Sequence, residues 1–148
     1  MILYMDASAL VKRYVLEAGT ADVEALLGTA ELAGTALISR AEVSAAICKA
    51  VRMRVVDRDR ASAAVRLFRA HWPAFFRLKV DAIVVESADL LSWEHQLRGY
   101  DAVHLACALL WQDSLAEPVT LATFDQDLWA AATHAGLDVW PSSAAMSR

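Results

Sequence analysis

The sequence predicts a three-layer α/β/α sandwich built on a short central parallel sheet. Four short apolar runs alternate with helical patterns along the chain, at residues 2–5, 36–38, 119–122 and 137–140. This alternation of strands with helices is typical of parallel α/β folds. The first run, Ile2–Met5, has no polar alternation, as expected for a strand covered by helices on both faces. A helical bundle is the alternative, because helical patterns dominate and the predicted strands are short.

Length and composition favour one domain without a membrane span. At 148 residues the chain has the length of one domain, so we expect a single domain over residues 1–148. Charged residues interrupt every long apolar stretch, and no transmembrane helix is predicted. The N-terminus enters a strand directly, which gives no indication of secretion. Cys48 and Cys107 lie in apolar helical contexts without CxxC spacing, and we interpret them as buried free thiols rather than as a disulfide or metal ligands.

In the first half of the chain, hydrophobic spacing and capping residues predict four helices. Their predicted extents are residues 8–14, 22–27, 39–53 and 58–72. Ser8, Ser39 and Asp57 are the predicted N-caps of the first, third and fourth helices. Residues 28–34 are interpreted as a loop, and Pro73 breaks or kinks the fourth helix.

In the second half, three further helices are predicted, at residues 82–95, 100–111 and 125–134, with a candidate short strand at 79–80. Gly99 separates the first two helices, and Gly136 is the predicted C-cap of the third. The 100–111 helix is apolar nearly all round, which predicts a core helix. Its thin polar stripe begins with Asp101 and His104, so Asp101 is expected near the interior, in a first turn where the helix dipole favours a carboxylate.

Four acidic residues stand at predicted strand-to-helix or loop-to-helix junctions: Asp6, Glu42, Asp101 and Asp125. Open α/β sheets bind ligands at the carboxyl ends of their strands, which is where Asp6 is expected. Carboxylates that converge on one pocket repel each other unless a cation neutralises them or a proton is shared. Because oxygen ligands suit Mg²⁺ or Mn²⁺, the pattern predicts a divalent-metal site that can activate water and clamp a phosphodiester.

Several of these residues also have a purely structural interpretation. Asp6 can serve only as a turn or helix-capping residue. Ser39 and Glu42 have the spacing of a capping box, in which Glu42 would only cap the third helix. Asp125 can be an ordinary residue of a helix N-terminus, and Asp127 is the alternative ligand from this stretch.

Four motifs occur in order along the chain: MDASALVK at residues 5–12, the helix that carries Glu42, LRGYDAVHLA at residues 97–106, and LATFD at residues 121–125. This ordered set resembles the PIN-domain ribonucleases, and more narrowly the VapC-type toxins of bacterial toxin–antitoxin pairs. The resemblance covers essentially the whole chain. Phe124 departs from the family pattern, in which a polar residue often precedes the final aspartate.

The resemblance implies a PIN-like fold and an Mg²⁺- or Mn²⁺-dependent endoribonuclease that cuts structured RNA such as tRNA or rRNA. It implies four catalytic metal ligands, at Asp6, Glu42, Asp101 and Asp125. Ser8 and Thr123 match the supporting hydroxyls of the family. The resemblance further implies a homodimer, a small co-expressed antitoxin partner and a cytoplasmic location.

A basic segment, residues 49–79, is the candidate RNA-binding surface of an otherwise acidic chain. It carries nine Lys and Arg residues against two Asp residues, whereas the whole chain has a net charge of −4. Such a segment can hold an RNA backbone, and a solvated helical face or a partner interface are the alternatives. The candidate RNA contacts are Lys12, Arg13, Arg52, Arg54 and Arg58.

A metal-dependent endoribonuclease is the function that the sequence favours. His104, one helical turn after Asp101, is interpreted as a core histidine with local hydrogen bonds rather than as a phosphate or water contact. Two other function classes stay open: a catalytically silent metal-binding module that acts through protein interaction, and a phosphate-transfer or receiver-type domain. Loss of RNA cleavage on carboxylate replacement would favour the nuclease over the first, and stable aspartyl phosphorylation would favour the second.

Overall fold

The computed structural model describes residues 1–15 and 18–142, which contain a five-stranded parallel sheet. Its strands are β1 (Ile2–Met5), β2 (Leu32–Ala36), β3 (Phe76–Leu78), β4 (Val119–Ala122) and β5 (Asp138–Trp140). They lie in the order β3-β2-β1-β4-β5, so β1 is central and every neighbouring pair is parallel. The predicted parallel α/β sheet is confirmed, and the helical-bundle alternative is wrong.

Seven α-helices in the described ranges cover both faces of the sheet. They are α1 (Ala7–Tyr14), α2 (Thr20–Thr29), α3 (Ser39–Arg52), α4 (Arg58–His71), α5 (Ala82–His95), α6 (Gly99–Leu115) and α7 (Gln126–His134). Helices α1 to α4 pack on one face around Leu3 and Met5, and α5 to α7 pack on the other around Tyr4. Successive residues of a strand point to opposite faces, which explains the continuous apolar run of β1. Within the described ranges, none of these helices has the length and apolar character needed to cross a membrane.

The second and third strands have different bounds from those predicted. β2 begins at Leu32, inside the predicted loop, and ends at Ala36, where the sequence suggested its start. Pairing with the central strand decides this start, because Leu32 aligns with Ile2. β3 ends at Leu78, and the predicted strand at residues 79–80 is wrong. Such short strands contain too few residues for a periodic signal, so their bounds depend on the neighbouring strand.

The first and third helices begin differently from the prediction. Asp6 is the N-cap of α1 and accepts a hydrogen bond from the Ala9 N–H at 2.9 Å, so Ser8 lies inside the helix. Ser39 is the first residue of α3 rather than its cap, and its buried hydroxyl lies 2.7 Å from Thr35 Oγ1. Both serine hydroxyls are engaged by residues of other elements, which local spacing does not reveal.

The remaining helices agree more closely with the sequence. Asp57 caps α4, as predicted, by accepting a hydrogen bond from the Arg60 N–H at 2.9 Å. Helix α5 has the predicted bounds, whereas α6 continues to Leu115, beyond its predicted end. Gly136 follows the end of α7 with a φ of 88°, the left-handed conformation that favours glycine after a helix.

The two cysteines differ in their environments. Both are free, but Cys107 is buried in α6 whereas Cys48 is exposed on α3. The prediction of buried thiols is therefore confirmed for Cys107 and wrong for Cys48. Burial raises the pKa of the Cys107 thiol to about 11.

Iodoacetamide at pH 8 is expected to modify one thiol of the folded protein, that of Cys48. The reactive species is the thiolate, and a thiol with a pKa near 11 is only about 0.1% ionised at this pH. Peptide mass mapping should find the label on Cys48, and the Cys48→Ser variant should take up none until it is denatured. Comparable labelling of Cys107 in the folded protein would contradict its burial.

Candidate active site

The carboxyl ends of β1, β2 and β4 bring the predicted acidic residues to one edge of the sheet. Asp6 follows β1, Glu42 lies in the first turn of α3 after β2, and Asp125 caps α7 after β4. Asp101 lies in the first turn of α6. The negative charges of Asp125 and Asp6 both act on Asp101, so these carboxylates lie close together. We call Asp6, Glu42, Asp101 and Asp125 the acidic pocket.

Asp6 is 4% exposed and is hydrogen-bonded on both carboxylate oxygens. Ser8 Oγ lies 2.7 Å from Oδ1 and 2.9 Å from Oδ2, and Thr123 Oγ1 donates to Oδ2 at 2.7 Å. The Ala9 N–H donates to Oδ1 at 2.9 Å. Burial raises the pKa of Asp6 above its ordinary value, although His104 and the hydrogen-bond donors oppose the rise. The carboxylate is thus held in one orientation, at a place where its negative charge is costly without a nearby cation.

The hydroxyls of Ser8 and Thr123 also bind the backbone between β4 and α7. Ser8 Oγ accepts a hydrogen bond from the Phe124 N–H at 2.8 Å, and Thr123 Oγ1 accepts one from the Asp125 N–H at 3.0 Å. The two hydroxyls therefore fix the position of Asp6 relative to Asp125. Phe124 needs no polar side chain for this purpose, because it contributes its backbone N–H.

Arg98 lies in the LRGYDAVHLA motif, which predicted no role for it, and joins two carboxylates of the acidic pocket. Its Nε donates to Asp101 Oδ2 at 2.8 Å, and its Nη2 donates to Asp125 Oδ2 at 2.7 Å. The other Asp125 oxygen accepts a hydrogen bond from the Leu128 N–H at 2.9 Å. The three-residue spacing of Arg98 and Asp101 on one helix start could have indicated the first ion pair. The second contact spans 27 residues of sequence and follows only from the fold.

Asp101 is 4% exposed and is the second deeply buried carboxylate of the pocket. Burial raises its pKa above the ordinary value. The hydrogen bond from Arg98 opposes this rise, and the negative charges of Asp125 and Asp6 add to it. A positive charge close to Asp101 therefore stabilises its ionised form.

His104 is buried and connects Glu42 to the central strand. Its Nε2 donates to Glu42 Oε1 at 2.8 Å, and its Nδ1 lies 2.8 Å from the Tyr4 hydroxyl. Burial lowers the pKa of His104, but the hydrogen bond to Glu42 and the negative charges of Asp6 and Glu42 outweigh burial and raise it overall. His104 is thus the locally hydrogen-bonded core histidine that the sequence predicts, with one partner in the acidic pocket.

Glu42 does not belong to the predicted capping box. Ser39 is not the N-cap of α3, and no side chain caps this helix. Glu42 instead directs its carboxylate to His104, which is 62 residues further along the chain. The capping-box interpretation of Glu42 is therefore wrong, and its side chain is available to the acidic pocket.

The donor atoms of the acidic pocket suit a hard divalent cation. They are carboxylate oxygens, which Mg²⁺ and Mn²⁺ prefer, and two of the carboxylates are buried. Across residues 1–15 and 18–142, no group of three or more acidic, histidine or cysteine side chains is arranged to hold a metal ion. Arg98 instead occupies one oxygen each of Asp101 and Asp125, and His104 occupies one of Glu42. A cation fits the chemistry of the pocket once the guanidinium leaves these oxygens.

Two candidate RNA contacts lie on α1. Lys12 Nζ lies 4.4 Å from the centre of the Phe124 ring, next in sequence to the acidic pocket residue Asp125. Arg13 lies seven residues after Asp6, which corresponds to about 10 Å along the helix. Lys12 is therefore placed near the edge of the acidic pocket, and Arg13 is placed farther along α1.

The remaining predicted residues lie on other parts of the surface. Arg52, Arg54 and Arg58 are exposed around the turn between α3 and α4. Arg52 lies ten residues after Glu42 on α3, which corresponds to about 15 Å along the helix. Asp127 is exposed and lines a separate depression next to the end of α5. These residues therefore lie outside the acidic pocket.

Comparison with known proteins gives close matches in sequence and in fold. No protein-family model matches the sequence. Ribonucleases VapC45 and VapC49 of Mycobacterium tuberculosis are each 33% identical to the chain over 142 residues, which cover 95% of the chain and 96% of the relative. The solved structure of FitAcB from Neisseria gonorrhoeae has a TM-score of 0.64 at 20% identity and covers 95% and 97% of the two chains. A toxin–antitoxin complex from Klebsiella pneumoniae has the same TM-score at 19% identity and covers 88% and 91%.

The parallel α/β/α sandwich places the chain in the class of PIN-domain folds. Within this class, the sequence identity of 33% over almost the full length of VapC45 and VapC49 identifies the family. The chain belongs to the VapC family of ribonucleases. The family resemblance predicted from the sequence is therefore confirmed, whereas the metal-binding and catalytic roles of individual residues stay predictions.

Proposed function

We propose that the protein is a divalent-metal-dependent endoribonuclease, the toxin of a type II toxin–antitoxin pair that cleaves structured RNA such as tRNA or rRNA. The observation that carries this proposal is a pair of buried carboxylates, Asp6 and Asp101, whose pKa values burial raises. Negative charges buried close together repel each other, and a bound cation relieves this repulsion. The two curated relatives are named ribonucleases, which directs the proposal to RNA.

Asp6 and Asp101 are the proposed central metal ligands, and Glu42 and Asp125 complete the set. When bound there, Mg²⁺ or Mn²⁺ supplies activation of a water molecule and stabilises the charge that develops on the phosphodiester. This chemistry requires no protein nucleophile. The acidic pocket therefore contributes ligands and orientation rather than a covalent intermediate.

Neighbouring residues support the proposed ligands by orienting their carboxylates. Ser8 and Thr123 hold Asp6 by hydrogen bonds to its oxygens. His104 holds Glu42 in the same way from the core. Ligand orientation of this kind tunes metal sites, and its loss typically costs about 10- to 100-fold in metal affinity or activity.

The basic segment supplies the proposed RNA contacts beyond the acidic pocket. Arg52, Arg54 and Arg58 are exposed at one end of α3, and Glu42 lies in its first turn. An RNA that follows α3 from the acidic pocket would reach these arginines after about 15 Å. Lys12 and Arg13 are the proposed contacts on α1. Such phosphate contacts provide affinity without base recognition, and they make binding dependent on salt.

A small antitoxin protein is the proposed partner. The solved structures with a similar fold include a toxin–antitoxin complex from Klebsiella pneumoniae and VapBC2 from Rickettsia felis bound to a promoter DNA fragment. These assemblies support the proposal by likeness of fold. The homodimer and the cytoplasmic location implied by the family resemblance stay predictions.

Removal of divalent metal is expected to abolish RNA cleavage. Protein stripped with EDTA should leave purified tRNA and rRNA intact, and added Mn²⁺ or Mg²⁺ should restore cleavage, because ionised carboxylates alone cannot activate water here. Sequencing the 5′ ends of the fragments would identify the RNA and the cut site. Full cleavage in EDTA, with metal content verified as negligible, would contradict metal dependence. No cleavage at any metal concentration, with retained antitoxin binding, would instead favour the catalytically silent module.

A further inference from the structure

The guanidinium of Arg98 is bound across two carboxylates that come from different elements. It donates to Asp101 in the first turn of α6 at 2.8 Å and to the α7 cap, Asp125, at 2.7 Å. Both acceptors are Oδ2 atoms of the acidic pocket. The Arg98 side chain is itself 58% exposed, so these two ion pairs lie at the mouth of the pocket rather than in the core.

A divalent cation and this guanidinium compete for the same oxygens. A divalent cation bound by Asp101 and Asp125 would repel a guanidinium that holds their Oδ2 atoms, because like charges in contact repel strongly. Within the described ranges, the carboxylates are not arranged as a set of three or more ligands for a metal ion. Metal binding through these oxygens therefore weakens the hold of the two carboxylates on the guanidinium.

We propose that Arg98 is a substrate-binding residue, which the metal-free protein holds on Asp101 and Asp125 and which a divalent cation releases to contact an RNA phosphate. The proposal rests on the proposed function, since it assumes a divalent ion in the acidic pocket. It adds Arg98 to the four carboxylates as a functional residue. The partners of Arg98 are Asp101 and Asp125 without metal, and an RNA phosphate with metal.

The position of Arg98 favours a phosphate as the second partner. Arg98 is the N-cap residue of α6, so its backbone stays beside the pocket when its side chain moves. Its guanidinium lies 4.9 Å from the centre of the half-exposed Tyr100 ring. This cation–π contact can keep the guanidinium beside the acidic pocket after it leaves the carboxylates. A guanidinium presents its N–H groups as a rigid fork that matches phosphate oxygens, and in Arg98 two of these groups, Nε and Nη2, already donate to carboxylate oxygens.

The Arg98→Gln variant is expected to bind Mn²⁺ more tightly than the wild type. Free Mn²⁺ measured by electron paramagnetic resonance gives the dissociation constant without any cleavage assay. Removing two partly exposed ion pairs that compete with the metal should lower this constant by about two- to thirtyfold. Arg98→Lys keeps the charge but loses the forked geometry of the guanidinium. Its Mn²⁺ dissociation constant should lie between those of Arg98→Gln and the wild type.

The same variant is expected to bind phosphate more weakly once metal is present. Adenosine 5′-monophosphate is a suitable probe, because it carries a phosphate but no phosphodiester to cleave. Its binding to Mg²⁺-saturated protein can be followed by NMR titration, and Arg98→Gln should raise its dissociation constant about threefold or more. Tighter metal binding together with weaker phosphate binding distinguishes this role from a structural one, since a damaged pocket would weaken both.

Arg40→Gln is the matched control. Arg40 is an exposed arginine of α3 outside the basic segment, and its guanidinium lies 5.9 Å from the centre of the Trp72 ring. Both dissociation constants should match those of the wild type in this variant. Unchanged or weaker Mn²⁺ binding by Arg98→Gln, or unchanged nucleotide binding, would overturn the proposal for Arg98 and leave the proposed function intact. Absence of saturable Mn²⁺ binding by the wild type would overturn both.

Discussion

Replacing Asp101 with asparagine is expected to reduce metal-dependent RNA cleavage by about 100-fold or more. Loss of a residue that only supports a metal ligand typically costs 10- to 100-fold, and Asp101 is a proposed ligand itself. The substitution keeps the size of the side chain while removing the negative charge that a cation requires. Initial cleavage rates at saturating Mn²⁺ measure the effect.

Asp113→Asn is the matched control for Asp101→Asn. Asp113 lies on the same helix, α6, and is exposed near its other end. Its variant should cleave RNA like the wild type.

Mn²⁺ at 100 times its dissociation constant contributes about 2.7 kcal/mol to the free energy of unfolding, or about 5–10 °C in melting temperature for a chain of this size. Asp101→Asn should lose most of this shift, and a full shift with normal cleavage would exclude Asp101 as a ligand.

Without metal, Asp101→Asn is expected to melt no lower than the wild type at pH 7.5. Burial raises the pKa of Asp101 in the folded protein, so its ionised form costs stability at every pH above its unfolded pKa of about 3.9. The asparagine removes this cost, and the raised pKa already includes the opposing effect of the ion pair with Arg98. The difference should shrink below about pH 4, where Asp101 is protonated in both states. A clearly lower melting temperature at pH 7.5 would show that the ion pair dominates.

Gly34→Ala is expected to destabilise the fold by about 1–3 kcal/mol, the usual cost of overpacking a core. A Cβ at Gly34 would lie 2.5 Å from Cη2 of Trp111 and 2.8 Å from its Cζ3. Trp111 is 4% exposed and its ring is stacked on Phe76 at 5.4 Å between centroids, so it has little room to move. The melting temperature should fall by about 2–12 °C in a thermal scan.

Gly28→Ala provides the opposite control. Gly28 lies on α2, and a Cβ there would meet no atom within 4 Å. Alanine is favoured over glycine in a helix by up to about 1 kcal/mol, so this variant should melt at or above the wild-type temperature. Equal stability of the two alanine variants would show that the Trp111 ring can shift without cost.

The positions of the acidic residues could be predicted because each lies where one local pattern ends and another begins. Asp6 closes the apolar run of β1, and Asp101 opens a helix that is apolar nearly all round. Their burial at 4% exposure agrees with that placement. The bounds of β2 could not be predicted in this way, because Gly34 weakens the strand signal and its close approach to Trp111 appears only in the fold.

The sequence by itself therefore determined the fold class and most of the helices, through patterns among residues a few positions apart, and the family, through four motifs in order along the chain. Only the tertiary structure decided which groups neutralise the acidic pocket. Arg98 reaches Asp125 across 27 residues, and His104 reaches Glu42 across 62. Such partners depend on the order of the strands in the sheet, which brings the ends of β1, β2 and β4 together. Local periodicity does not encode that order, because a helix or strand has the same pattern whichever neighbour it packs against.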